Sequence, residues 1–180
     1  NFSADVSVVD MGMTYLATYL NQKTNHCANI IDFTYKRRGW KKHLKENIER
    51  FSPDIIGISS VSMFMQYTRM IASETKEVYN LPIVLGGYHP TLEPEDSLSV
   101  PEVDAICIGD GEFTITEYLD ALEGNKTVKG IRGLWVKENG NVIKNPLREL
   151  IPDIDTLPIP DYSLWEDFDK FLHYNAVVYF

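Results

Sequence analysis

The residues of this chain that could do chemistry gather at three places, each where a short apolar run stops at small residues. Asp54-Ile55-Ile56-Gly57-Ile58 runs into Ser59-Ser60-Val61-Ser62-Met63, and Pro82-Ile83-Val84-Leu85 into Gly86-Gly87-Tyr88-His89-Pro90-Thr91. Ala105-Ile106-Cys107-Ile108 runs into Gly109-Asp110-Gly111-Glu112. An apolar run ending this way reads as a buried parallel strand that stops at a loop needing backbone freedom. Without side chains at Gly86 and Gly87, something large can lie against the main chain there. Taken alone, that pair reads equally well as a plain strand-to-loop turn. Three such ends, each followed by a helical pattern, lie side by side in an open α/β sheet, and ligands of such sheets bind in the crevice they form. The ligand they suit is bulky and elongated, threading between the sheet edge and its loops.

Other chemistries lack their residues. A nicotinamide cofactor needs a Gly-x-Gly-x-x-Gly turn after the first strand; Asp32 stands where that fold keeps its ribose-binding acid, but Met11-Gly12-Met13 is not the turn. A phosphorylated receiver domain needs an acceptor aspartate where Ser59-Ser60 stands. There is no Walker loop, no Ser-His-Asp order at a nucleophile elbow and no Cys-x-x-Cys. Cys27 and Cys107 sit inside apolar strand patterns and read as small buried residues in a reducing compartment, not as a metal site. Over 180 residues, 17 basic against 26 acidic side chains leave a net charge of −9, which argues against nucleic acid as a partner. The cluster Lys36-Arg37-Arg38 with Lys41-Lys42 reads as a solvated face. With no bilayer-length apolar run and no signal peptide in view, a cytoplasmic protein without a membrane span is expected.

The elements that must position the three strand ends follow from periodicity. Asp5–Val9 is a short candidate first strand. Met13, Leu16, Ala17 and Leu20 share one face of a helix. Cys27–Phe33 reads as a strand, and Trp40, Leu44, Ile48 and Phe51 mark a second helix that Pro53 ends. Tyr67, Met70, Ile71 and Val78 mark a third helix. Pro94 opens a short helical turn, and Thr114 with Glu117 forms a capping box for a helix carrying Ile115, Tyr118, Leu119 and Leu122. The alternation of strand and helix predicts an α/β fold, an open doubly wound parallel sheet of the flavodoxin-like or Rossmann-like kind. Beyond it, Asn139-Gly140 predicts a type I′ hairpin. Pro146, Pro152, Pro158 and Pro160 then mark an ordered linker, in which Ile159 and Tyr162 pack on something. Trp165–Phe168 reads as a short helix and Asn175–Phe180 as a new strand.

Taken in order, these segments resemble the cobalamin-binding domain of cobalamin-dependent radical S-adenosylmethionine enzymes. The resemblance rests on Ser59-Ser60-Val61-Ser62, Gly86-Gly87-Tyr88-His89-Pro90-Thr91 and Gly109-Asp110-Gly111-Glu112, with Gly12-Met13-Thr14-Tyr15-Leu16-Ala17 before them and Asp155-Thr156-Leu157-Pro158-Ile159-Pro160-Asp161-Tyr162 after. Ser59-x-Val61 and Gly86-Gly87 are similar to two parts of the signature of corrinoid carriers. Its first part, Asp-x-His-x-x-Gly, is missing: Asp10-Met11-Gly12 occupies that region without a histidine.

The resemblance implies that the chain buries the dimethylbenzimidazole tail of cobalamin and offers no histidine to cobalt. Ser59, Ser60 and Ser62 would leave room for the tail and supply hydroxyls. Gly86, Gly87, Gly109 and Gly111 would let the backbone approach, and Met63, Phe64 and Tyr88 would face the corrin. His89 reads as loop-fixing, not as a metal ligand. Glu112 either favours the dipole of the helix it precedes or touches the ligand. The expected organisation is a cobalamin-binding domain over 1–124, hairpin and linker over 125–174, and from 175 the start of a radical S-adenosylmethionine domain in the same polypeptide. That domain would carry a four-iron four-sulfur cluster and S-adenosylmethionine and act on a small-molecule substrate, with methyl transfer to an unactivated carbon as the expected reaction. The alternative is a stand-alone corrinoid carrier or sensor.

Overall fold

The structure, a computed structural model, describes residues 9–175. Chain order begins with α1 (Met11–Lys23), α2 (Trp40–Phe51), β1 (Ile56–Ser59), α3 (Met65–Tyr79) and β2 (Ile83–Gly86). There follow α4 (Tyr88–Leu92), α5 (Pro94–Ser99), β3 (Ala105–Cys107), α6 (Gly111–Glu123), β4 (Leu134–Glu138), β5 (Asn141–Lys144) and α7 (Phe168–Asn175). The chain divides into two compact units, one of residues 1–52 with 157–180 and one of residues 53–156.

In the first unit, α1 begins at Asp10, whose carboxylate accepts the Met13 N–H at 2.9 Å. Its inner face is half threonine. Thr14 and Thr18 are fully buried, and each uses its hydroxyl twice. Thr14 Oγ1 donates to the Asp10 carbonyl (2.7 Å) and accepts from Trp165 Nε1 (2.9 Å). Thr18 Oγ1 donates to the Thr14 carbonyl (2.7 Å) and accepts from the Asp161 N–H (2.9 Å). The proline-rich segment is thereby fastened to α1, with Trp165 and Phe171 buried against Ala17 and Ile30.

Several expectations are corrected here. Among the described residues Cys27–Phe33 has no ladder partner and forms no strand. Instead the side chain of Asn21 takes both polar groups of Ala28, at 2.7 and 2.9 Å. Cys27 is exposed, not buried, and the inner face of α2 also buries His43. The helix read at Trp165–Phe168 begins at Phe168. Ile159 is exposed, while Tyr162 stacks on Phe168. Residues 5–8 of the candidate first strand and 176–180 of the candidate last strand lie outside the described residues; Asn175 belongs to α7. The basic side chains Arg37, Arg38, Lys41 and Lys42 are exposed, as a solvated face requires.

The second unit is built on a sheet of five strands in the order β1-β2-β3-β4-β5. β1, β2 and β3 are parallel, and β4 and β5 join antiparallel. The hairpin therefore extends the sheet, turning at Asn139 and Gly140, whose φ of 51° and 77° are those of the expected type I′ turn. Ile83, Leu85, Val103 and Ile106 form the fully buried centre. The third helix exists, but Tyr67, Met70 and Val78 face solvent; Met65, Thr68, Ala72 and Thr75 face the core. The capping box is also corrected. Asp110 is the N-cap of α6, and Thr114 lies inside the helix, donating to the Arg132 carbonyl and accepting from Arg148 Nε, both at 2.9 Å. Glu117 pairs with the Arg148 guanidinium.

Candidate functional site

Parallel pairing fixes where the three small-residue strand ends meet. Ser59 and Gly86 are register partners at the carboxyl ends of β1 and β2, with β3 ending beside them at Cys107. The loops continue the ladder past the strands: Ser60 N–H donates to the Gly86 carbonyl (2.9 Å) and His89 N–H to the Ser60 carbonyl (3.0 Å). Gly87 makes this approach feasible. Its φ of 96° and ψ of −164° lie in a region essentially restricted to glycine, and a Cβ there would stand 2.8 Å from the Ser60 oxygen. The third loop is tied in by Thr91, whose hydroxyl donates to the Gly87 carbonyl (2.9 Å) and accepts the Gly109 N–H (3.1 Å). Gly109, at φ 82°, leaves open space where a Cβ would be.

The expected loop at Tyr88–Leu92 is the short helix α4. His89 is buried within it, with both ring nitrogens engaged: Nδ1 stands 3.0 Å from Ser62 Oγ and Nε2 3.0 Å from Asp96 Oδ2. Arg69 reaches the same Asp96 oxygen at 3.3 Å. Ser60, expected to offer an open hydroxyl, is instead buried, with Oγ 2.8 Å from Thr68 Oγ1 and 3.2 Å from Met65 Sδ. Ser62 remains exposed. Beside it Met63, Phe64, Tyr88 and Leu92 each expose more than half of their surface. Four large apolar residues open to solvent around one set of strand ends form the kind of patch that marks a binding surface.

Electrostatically the third strand end is the acidic side of the site. Glu112 is buried in the first turn of α6. Burial, and then the neighbouring Asp110 charge, raise its pKa, against the backbone N–H groups of Glu112 and Gly111 that stabilise the carboxylate. Burial, followed by the Glu112 charge, pushes the Cys107 thiol up to about 12, so this cysteine is a protonated packing residue and no thiolate ligand. Of the residues singled out in sequence, Ser59 to Met63, Gly86 to His89 and Gly109 to Glu112 thus share one sheet edge. Asp10, Met11 and Gly12 belong to the first unit, at the start of α1. Sequence reasoning missed Thr91, Thr68 and Asp96. Thr91 was visible in the motif, whereas Thr68 and Asp96 act through contacts that no local pattern announces.

Residues 2–119 match the family of the B12 binding domain. The chain belongs to that family. It is 36% identical over 156 residues to the uncharacterised methyltransferase PH0819 of Pyrococcus horikoshii, a match covering 86% of this chain and 33% of that protein. Cytidylyl-2-hydroxyethylphosphonate methyltransferase of Streptomyces wedmorensis is 24% identical over 165 residues, covering 74% of this chain and 28% of that protein. The chain thus spans about a third of the length of these relatives. Among solved structures, the cobalamin-dependent S-adenosylmethionine radical enzyme OxsB with aqua-cobalamin bound superposes with a TM-score of 0.73 at 21% identity, over 91% of this chain and 23% of that one. The radical S-adenosylmethionine methyltransferase TsrM from Kitasatospora setae, with cobalamin and a 4Fe-4S cluster bound, gives 0.70 at 21%, over 77% and 28%. These likenesses establish the flavodoxin-like fold.

The residues present fit a corrinoid. Gly109 leaves open space at the third strand end, the exposed apolar residues match a macrocycle's face, and the imidazole at these strand ends has both nitrogens occupied by Ser62 and Asp96.

Proposed function

We propose that this chain is the cobalamin-binding N-terminal region of a radical S-adenosylmethionine enzyme, a methyltransferase acting on an unactivated carbon of a small molecule. The observation that carries the reading is the conjunction of the family match over residues 2–119 with a set of strand ends that is open at Gly109 and flanked by exposed apolar side chains. When bound, cobalamin supplies the methyl-carrying chemistry. This chain's own residues bind and orient it. The loops after β1 and β2, from Ser59 to Val61 and at Gly86 and Gly87, would flank the tail's place at the carboxyl ends of these strands, and Gly109, Asp110, Gly111 and Glu112 would flank it at β3. Met63, Phe64 and Tyr88 cover the macrocycle and exclude water. His89 holds the loop and leaves cobalt without a protein nitrogen.

The iron–sulfur cluster and S-adenosylmethionine belong to a further domain of the same polypeptide, in keeping with the third of its relatives' length that this chain spans. Its two cysteines, one exposed and one buried, fall short of the thiolates such a cluster requires. Among the described residues no helix is long and apolar enough to cross a membrane; a cytoplasmic location is a separate part of the proposal. Two measurements test the reading. Titrating the purified chain with cobalamin is expected to saturate at one equivalent. The reading frame beyond Phe180 is expected to show a Cys-x-x-x-Cys-x-x-Cys motif. A chain that takes up no cobalamin, or a frame that continues without the triad, overturns the corresponding half.

A further inference from the structure

We propose that Asp96, acting through His89, fixes Ser62 as a hydrogen-bond acceptor at the rim of the strand-end crevice, and that Ser62 thereby selects a peripheral amide of the corrinoid over a carboxylate. The ligand half of this inference rests on the cobalamin reading; the Asp96 half stands on geometry alone.

A carboxylate has acceptors only, so the 3.0 Å contact between Asp96 Oδ2 and His89 Nε2 requires the proton on Nε2. The opposite tautomer would set two acceptors against each other. Arg69, at 3.3 Å from the same oxygen, supports the carboxylate in place. In the neutral ring Nδ1 then carries a lone pair, and its 3.0 Å contact with Ser62 Oγ requires the serine O–H to donate inward. The hydroxyl proton of Ser62 is thereby committed, and what this exposed side chain presents outward is oxygen lone pairs. His89 is buried, and turning its ring over would give up both of its ring contacts.

A ligand group arriving at Ser62 therefore has to be a donor. Cobalamin carries primary amides around its macrocycle, and an amide N–H satisfies an acceptor-only hydroxyl. The same side chain hydrolysed to carboxylate presents lone pairs to lone pairs. Asp96 is a positioning residue in this account, and Ser62 the residue that decides specificity.

The test has two arms. In the uniformly nitrogen-15-labelled 180-residue chain without ligand, at a pH above the histidine range, the His89 ring is expected as the Nε2–H tautomer, and Asp96→Ala is expected to release a mixture. In the second arm, cobalamin and the isomers bearing one hydrolysed amide are titrated into the chain. At least one isomer is expected to bind roughly tenfold more weakly than cobalamin, the scale of one hydrogen bond. Ser62→Ala is expected to erase that difference. A purely structural Asp96 would instead weaken all corrinoids alike. An Nδ1–H tautomer in the wild type overturns the proposal, as does equal binding of every isomer or a discrimination that survives Ser62→Ala. Failure to bind any corrinoid overturns the functional reading and amide selection with it, while the nitrogen spectrum still decides the Asp96 arrangement.

Discussion

A methyl group at Gly87 would meet the Ser60 carbonyl oxygen at 2.8 Å, on a backbone with φ of 96°. Gly87→Ala is therefore expected to cost about 2 kcal/mol or more in denaturant unfolding and to weaken cobalamin uptake, because relief requires β1 and β2 to part at their carboxyl ends. An unchanged midpoint would contradict this. Glu112 makes the opposite prediction. Its raised pKa in the fold, caused first by burial, means that its charge opposes folding. The penalty is absent below the unfolded carboxyl pKa of about 4.3, where both states are protonated, and is complete above the raised folded value. Glu112→Gln is thus expected to raise the melting temperature at neutral pH, with the gain vanishing in acid; a gain independent of pH would assign it to something other than the charge. At this scale the sequence was legible where backbone demands residue type, as at Gly87. It was silent where a side chain's partner is remote: the Ser60 hydroxyl went to Thr68 and Met65 on α3, and the His89 ring to Asp96 on α5.

Elements were legible where one face decides. α2 follows its apolar spacing at Leu44 and Ile48, and α1 follows it at Ala17 and Leu20 but buries Thr14 and Thr18 beside them. α3 shows the limit. Its large side chains Tyr67, Met70 and Val78 are exposed, while Met65 and the smaller Thr68, Ala72 and Thr75 pack inward. Cys27–Phe33 had strand composition but no ladder partner among the described residues. The threonines of α1 carried no signal at all, yet they anchor the returning chain. Thr14→Val keeps the shape and removes the acceptor of the buried Trp165 Nε1–H. It is expected to cost about 1–3 kcal/mol, followed by tryptophan fluorescence during denaturant unfolding. A neutral effect would show that the indole finds another partner.

For the whole molecule, the account makes the chain a binder whose redox chemistry lies elsewhere. Purified without added cofactor, it is expected to hold no stoichiometric iron, checked by elemental analysis; iron and sulfide at cluster ratios would contradict the assignment of the cluster to another domain. The central claim is that cobalamin is bound here with cobalt free of any protein nitrogen, since the His89 ring is committed to Ser62 and Asp96. Electron paramagnetic resonance of the chain loaded with reduced, cobalt(II) cobalamin tests it most directly. The account predicts a spectrum without nitrogen splitting, unchanged by His89→Gln. A nitrogen splitting would contradict it, and one that disappears in His89→Gln would make that imidazole the ligand.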